Sequence, residues 1–170
     1  IRGTVVPTLS QSHKCREAVF NEILAMITAV TLPSITSAQV FDRLLPTDRG
    51  VIGVQESGGT TPTICVCFPT DIPPSLLGGT NITEDIGYPI AVLAIAAAEG
   101  DLEPSDNSDL VAYWTELITL HFHNKRLPGL TSVEIVQAEP LPVVAQEDFE
   151  LRDLLVTGTI LRCVSRMQRV

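Results

Sequence analysis

Residues 88–98, YPIAVLAIAAA, form an almost unbroken apolar run entered by Gly87 and closed by Glu99-Gly100-Asp101. A membrane helix needs about 20 such residues, so this run is too short to span a bilayer. A short apolar run bounded by turn residues reads as a strand buried on both faces or as a short core helix. Ile90, Val92 and Ile95 favour the strand, while Ala94 to Ala98 weaken that preference toward the end. A strand buried on both faces needs cover on two sides, so the rest of the chain must supply two layers.

The surrounding patterns provide candidates. Ser10 or Ser12 can cap a helix running to about Val30, with Val19, Phe20, Ile23, Leu24, Ile27 and Val30 at helical spacing. Pro33 ends it. Ser108 or Asn107 opens a second helix reaching Lys125. Its apolar stripe is Leu110, Val111, Trp114, Leu117, Ile118, His121 and Phe122, and Pro128-Gly129 stops it. Residues 38–45 read as a short strand. Residues 51–55 and 63–68 read as a hairpin turning through Glu56-Ser57-Gly58-Gly59-Thr60, where the glycines tolerate positive φ. Residues 131–137 alternate as a strand should. Residues 151–166 predict a long final strand, with Gly158 marking a bulge or a close approach.

Two segments are left without a buried face. Residues 1–9 read as an extended arm. Residues 69–87, rich in Pro, Gly and polar side chains, read as a long exposed loop, and such loops are often functional. The order of elements predicts one α+β domain over residues 1–170, a mostly antiparallel sheet with two amphipathic helices packed on it.

Bulk properties narrow the function. The chain has 170 residues, enough to bury a sizeable core, and a formal net charge of −9. That charge argues against a free DNA- or RNA-binding module, which needs clustered Lys and Arg for phosphate contacts. Cys65 and Cys67 lie two apart in a predicted strand and share a face; Cys-x-Cys without further ligands reads as core filling in a reducing compartment. The N-terminal sequence lacks a signal peptide's long apolar core. The chain opens on Ile1 and not Met, so the expectation is that residues preceded it.

The sequence holds no G-x-x-x-x-G-K-[ST], G-x-G-x-x-G or G-x-S-x-G motif. His121 and His123 diverge if both are helical, so they are not expected to chelate together. The carboxylates Glu84, Asp85, Glu99, Asp101, Glu103, Asp106 and Asp109 cluster around the apolar run and read as solvated surface. No catalytic residue, cofactor or metal is expected.

The sequence resembles the tail terminator, or tail completion, proteins of long-tailed bacteriophages, and more loosely other head–tail joining proteins. The resemblance rests on the N-terminal amphipathic helix, on Val40-Phe41-Asp42-Arg43 leading into a β-region, and on Gly87-Tyr88-Pro89-Ile90-Ala91-Val92 as core strand. It continues through the Trp114-containing helix, Pro128-Gly129 with its strand, and a last strand ending near Arg162 to Arg169. It implies a non-enzymatic virion protein, assembled in the host cytoplasm, that forms a homo-hexameric ring. Such a ring would cap the tail tube protein and meet the neck or connector protein under the portal, with no membrane partner. DNA would pass through without specific binding, and six acidic copies would carry about 54 negative charges to repel phosphate. Other readings are a head-completion stopper, another neck or minor capsid protein, or a small ligand-binding domain.

The exposed segments are the expected contact surfaces. The hairpin tip at Ser57, Gly58 and Gly59 and the loop with Ile72, Leu76, Leu77 and Ile82 are the candidate interface. Large aliphatic residues on an exposed loop are costly for a free chain and useful at a contact.

Overall fold

The computed structural model describes residues 9–44, 62–97, 106–142 and 154–168. Among them are two helices, α1 (Gln11–Thr28) and α2 (Asp106–Phe122). The strands are β1 (Val40–Asp42), β2 (Thr63–Cys67), β3 (Ser75–Gly79), β4 (Thr83–Ala97), β5 (Val133–Pro140) and β6 (Leu154–Gln168). The fold is α+β, with one mostly antiparallel sheet ordered β1-β2-β4-β6-β5 and β3 added beside β4. Among the described residues, only β1 and β2 pair in parallel.

Residues 88–97 of the apolar run belong to β4, residues 88–96 are packed on both faces, and Ala98 lies outside the described residues. Tyr88, Ile90, Val92, Ala94 and Ala96 join the core under the helices. Ala91 and Ile95 point the other way into a second cluster with Cys65, Cys67, Leu154 and Ile160. The period of two along a strand divides these residues between the faces. β4 pairs with β6 without a break, from Thr83 opposite Gln168 to Ala97 opposite Leu154. Gly158 lies in that ladder opposite Leu93, and no bulge interrupts it. A Cβ at Gly158 would stand 2.2 Å from the carbonyl oxygen of Val92, so the glycine marks a close approach.

The other edge of β4 is divided. β3 pairs with residues 84–87 and β2 with residues 91–95. Pro89, which cannot donate to a ladder, falls in the gap between these two partners.

The helices cover one face, α1 over β1, β2 and β4, and α2 over β4, β5 and β6. Ser10 caps α1 by accepting from the His13 amide at 3.4 Å. The buried face of α1 is Cys15, Val19, Ile23 and Met26, with Phe20, Leu24 and Ile27 half-buried. Val30 is not part of that stripe. It sits beyond the helix end at φ 59°, with its side chain 78% exposed. Its amide donates to Ile27 and the Thr31 amide to Met26, a closure that satisfies the last carbonyls of the helix and needs a left-handed residue at position 30. On α2 the expected stripe is present, with Val111, Trp114, Ile118 and Phe122 fully buried and Thr115 beside them.

Several expectations change. Of the strand expected over 38–45, the described residues 38–44 hold only β1, preceded by a single 3₁₀ turn at Ser37–Gln39, and Leu45 lies outside the described residues. The segment 69–87 is not a long loop. It holds β3 and the first turnings of β4, a hairpin that lengthens the sheet. Its polar and glycine-rich composition hid strands that are stabilised by pairing and not by local propensity. Residues 51–55, the arm 1–8 and the start of the last predicted strand, 151–153, lie outside the described residues.

Candidate interaction surface

The β3–β4 hairpin is built by its short turn. The Thr80 amide donates to the Thr83 carbonyl at 2.7 Å, and the Thr80 hydroxyl accepts from the amides of Ile82 and Thr83 at 3.2 and 3.1 Å. A hydroxyl that takes the place of backbone partners in this way favours a tight turn. Gly78, at φ 142°, lies at the register shift between Leu76 and Gly78, in a conformation L residues rarely adopt. A Cβ on Gly79 would run into the Thr83 carbonyl, so the two limbs close tightly.

The ladder behind the turn is clamped by charge. The Arg166 guanidinium on β6 donates to both carboxylate oxygens of Asp85 on β4, at 2.8 and 3.1 Å, and approaches Glu134 on β5 at 3.7 Å. Asp85 and Arg166 are direct cross-strand partners. The guanidinium holds the Asp85 carboxyl below its ordinary value. Farther in, the stem of Arg162 and the side chain of Leu77 both lie over Gly87, whose missing Cβ makes room for them.

The result is a braced hairpin at the end of the sheet with apolar residues on its surface. Leu76 is 72% exposed, Leu77 43% and Ile82 70%, and Met167 on the adjoining strand is also exposed. Three of the aliphatic residues expected at the interface are therefore grouped on one hairpin. The fourth, Ile72, is not with them: it packs against the second-face cluster of Cys65, Cys67 and Ile95. The apolar character of Ile72 serves the core, because this face of the sheet has no helix over it among the described residues. Ser57, Gly58 and Gly59 lie outside the described residues.

The polar candidates are dispersed or occupied. His121 Nε2 meets Glu22 Oε1 at 2.7 Å and so links α2 to α1, whereas His123 Nδ1 accepts from the Ala138 amide at 3.1 Å. Each ring has its own partner in a different direction. Among the described residues no three His, Cys, Asp or Glu side chains are gathered as a metal site would require. All four cysteines are buried free thiols. Cys67 is pushed up by a side-chain hydrogen bond with Cys65 and by burial, and Cys163 by the same two causes with Cys15 as its neighbour. Both shifts favour the protonated thiol at Cys67 and Cys163, whereas the hydrogen bond with Cys67 lowers Cys65. Asp106 and Asp109 are on α2 with exposed side chains, while Glu99, Asp101 and Glu103 lie outside the described residues. Among the described residues no helix is long and apolar enough to cross a membrane.

A second apolar feature, absent from the sequence reading, lies on the flank of α2 opposite α1. There a groove of about 490 Å³ runs between the helix, at Ala112, Thr115, Thr119 and Leu120, and the strand ends at Pro140 and Leu141. Leu120 stands 71% exposed on its wall and Glu116 lies on its rim. Leu120 lies outside the buried helical period, which is the only signal that could have marked it.

No family model matches the sequence, and no curated protein matches it.

Proposed function

We propose that this chain is a non-enzymatic assembly subunit of a bacteriophage virion, a tail terminator that forms a ring, caps the tail tube and joins it to the neck beneath the portal. The observation that carries the reading is the β3–β4 hairpin: Leu76, Leu77 and Ile82 are presented to solvent at a sheet end braced by the Asp85–Arg166 pair. A chain gains nothing as a free molecule from rigidly displaying large aliphatic residues, whereas a contact surface gains affinity from anchors that are already ordered. The net charge of −9 suits a ring that lets DNA pass without gripping it.

The test is a double substitution, Leu76→Asp with Ile82→Asp. Both side chains are exposed, so the circular dichroism spectrum and the melting temperature should stay close to those of the parent. Electron microscopy of the parent chain, alone and with tail-tube protein, should show rings and tubes of uniform length. The variant should give no rings and tubes of irregular length. Rings and uniform tubes from a folded variant would remove the hairpin from the contact and the main support from the reading.

A further inference from the structure

We propose that the partner of the β3–β4 hairpin is a second copy of this chain, and that the hairpin seats in the groove beside α2 with Arg162 of one copy facing Glu116 of the next. The inference rests on the reading of the hairpin as a contact surface and adds what it contacts.

Both halves of the contact are present in one chain, and they cannot meet within it. The hairpin lies where Thr83 pairs with Gln168, at one end of the β4–β6 ladder. The groove lies at the other end, against Pro140, Leu141 and Thr157. Thr157 and Arg166 stand nine positions apart on β6, about 30 Å of continuous strand at ~3.3 Å per residue. A ladder paired without a break along that length does not fold back on itself. The exposed apolar hairpin and the apolar groove are therefore left to different copies. A contact between two different patches of identical chains is head-to-tail, and it repeats until it closes.

Charge identifies the occupant. Arg162 and Leu77 lie together over Gly87, so the cation accompanies the apolar anchors. The Arg162 guanidinium has no hydrogen-bond or ion-pair partner among the described residues, and the same holds for the exposed Glu116 carboxylate on the groove rim. The two groups have opposite sign and both lie beside apolar surface. Seating the hairpin would give each a partner as its neighbourhood loses water. The outer face of α2 adds to the preference, since its exposed charged residues Asp106, Asp109 and Glu116 are all acidic.

The experiment uses two single-cysteine additions on the full chain, Ile82→Cys and Thr119→Cys, mixed and treated with a short bis-maleimide. The native thiols are all buried in the folded protein. A crosslinked heterodimer is expected from this mixture and not from Ile82→Cys mixed with Gln137→Cys, whose added thiol is exposed on β5. Glu116→Arg or Arg162→Glu should each lower the yield about tenfold, since like charges then face each other. Mixing hairpin donors carrying Arg162→Glu with groove donors carrying Glu116→Arg should restore it. No crosslink up to the solubility limit, or equal yield with Gln137→Cys, overturns the proposal. If Leu76→Asp with Ile82→Asp abolishes tube capping while Thr119→Cys never crosslinks and Glu116→Arg is silent, the hairpin contacts something other than this groove: the groove assignment falls and the terminator reading stands. If the aspartate variant also assembles normally, both fall.

Discussion

The Trp114 indole nitrogen donates to the Pro33 carbonyl oxygen at 2.8 Å, so the largest buried side chain of α2 fastens the turn that follows α1. This one bond joins the two helices through the connection Leu32–Ile35, whose end residues are themselves buried. Trp114→Ala should cost roughly 3–5 kcal/mol, the range for deleting a large core aromatic. Trp114→Phe keeps most of the packing and should still cost about 1 kcal/mol or more, because the Pro33 carbonyl loses its donor. Urea unfolding of both variants checks this; a midpoint unmoved by Trp114→Ala would contradict the burial.

Val30 should be improvable. A β-branched residue at φ 59° is held there by the two closing hydrogen bonds to Ile27 and Met26, and its exposed side chain offers no packing in return. Val30→Gly should stabilise the chain by about 1 kcal/mol, since glycine avoids the left-handed penalty. A thermal melt that moves down would show that the residue's side chain matters in a way the structure does not display.

Gly158 should tolerate nothing larger. A Cβ 2.2 Å from the Val92 carbonyl oxygen meets backbone in the centre of the sheet, and neither strand can yield without losing ladder bonds. Gly158→Ala should cost roughly 2–4 kcal/mol, near the upper end for single substitutions. Denaturant unfolding measures it, and a cost near zero would mean that the two strands separate easily at this point.

The Asp85–Arg166 pair gives a pH dependence of known sign. Arg166 lowers the folded-state pKa of Asp85, so the unfolded chain takes up the proton first as pH falls. The contribution is complete above the unfolded carboxylate value, about 3.9, and is lost as pH falls through the lower folded value. Asp85→Asn should therefore weaken the chain at neutral pH and flatten its loss of stability below about pH 4. Both groups are solvent-accessible, so the effect is small and shrinks in salt. Acid titrations of the parent and Asp85→Asn chains that superimpose would rule out a role for the pair.

Much of the layer architecture was legible because it depends on periodicity. The stripes of α1 and α2 and the two-sided burial of residues 88–96 follow from spacings of three-and-four and of two. The hairpin was not legible. Its residues Glu84, Asp85 and Gly87 carry no strand signal of their own and become a strand because Arg166, Val164 and their neighbours lie opposite. Ile72, Leu76, Leu77 and Ile82 looked alike as aliphatic residues in a polar segment, and only the tertiary structure sends Ile72 inward and leaves the others in solvent. The groove beside α2 joins residues from the helix with Pro140, Leu141 and Thr157, and no local window spans them.

The unbroken β4–β6 ladder also sets the order of events during synthesis. β4 leaves the ribosome before α2 and β5, and its long pairing edge waits until β6 follows them. Translation proceeds at about 5–20 residues per second, so this edge of a two-faced apolar strand waits for seconds on the nascent chain, while β2 and β3 are already available to the other edge. Pairings between such distant segments are slow to form. Yield in cells should therefore depend on holdase chaperones and on growth temperature more than the stability of the finished fold would suggest.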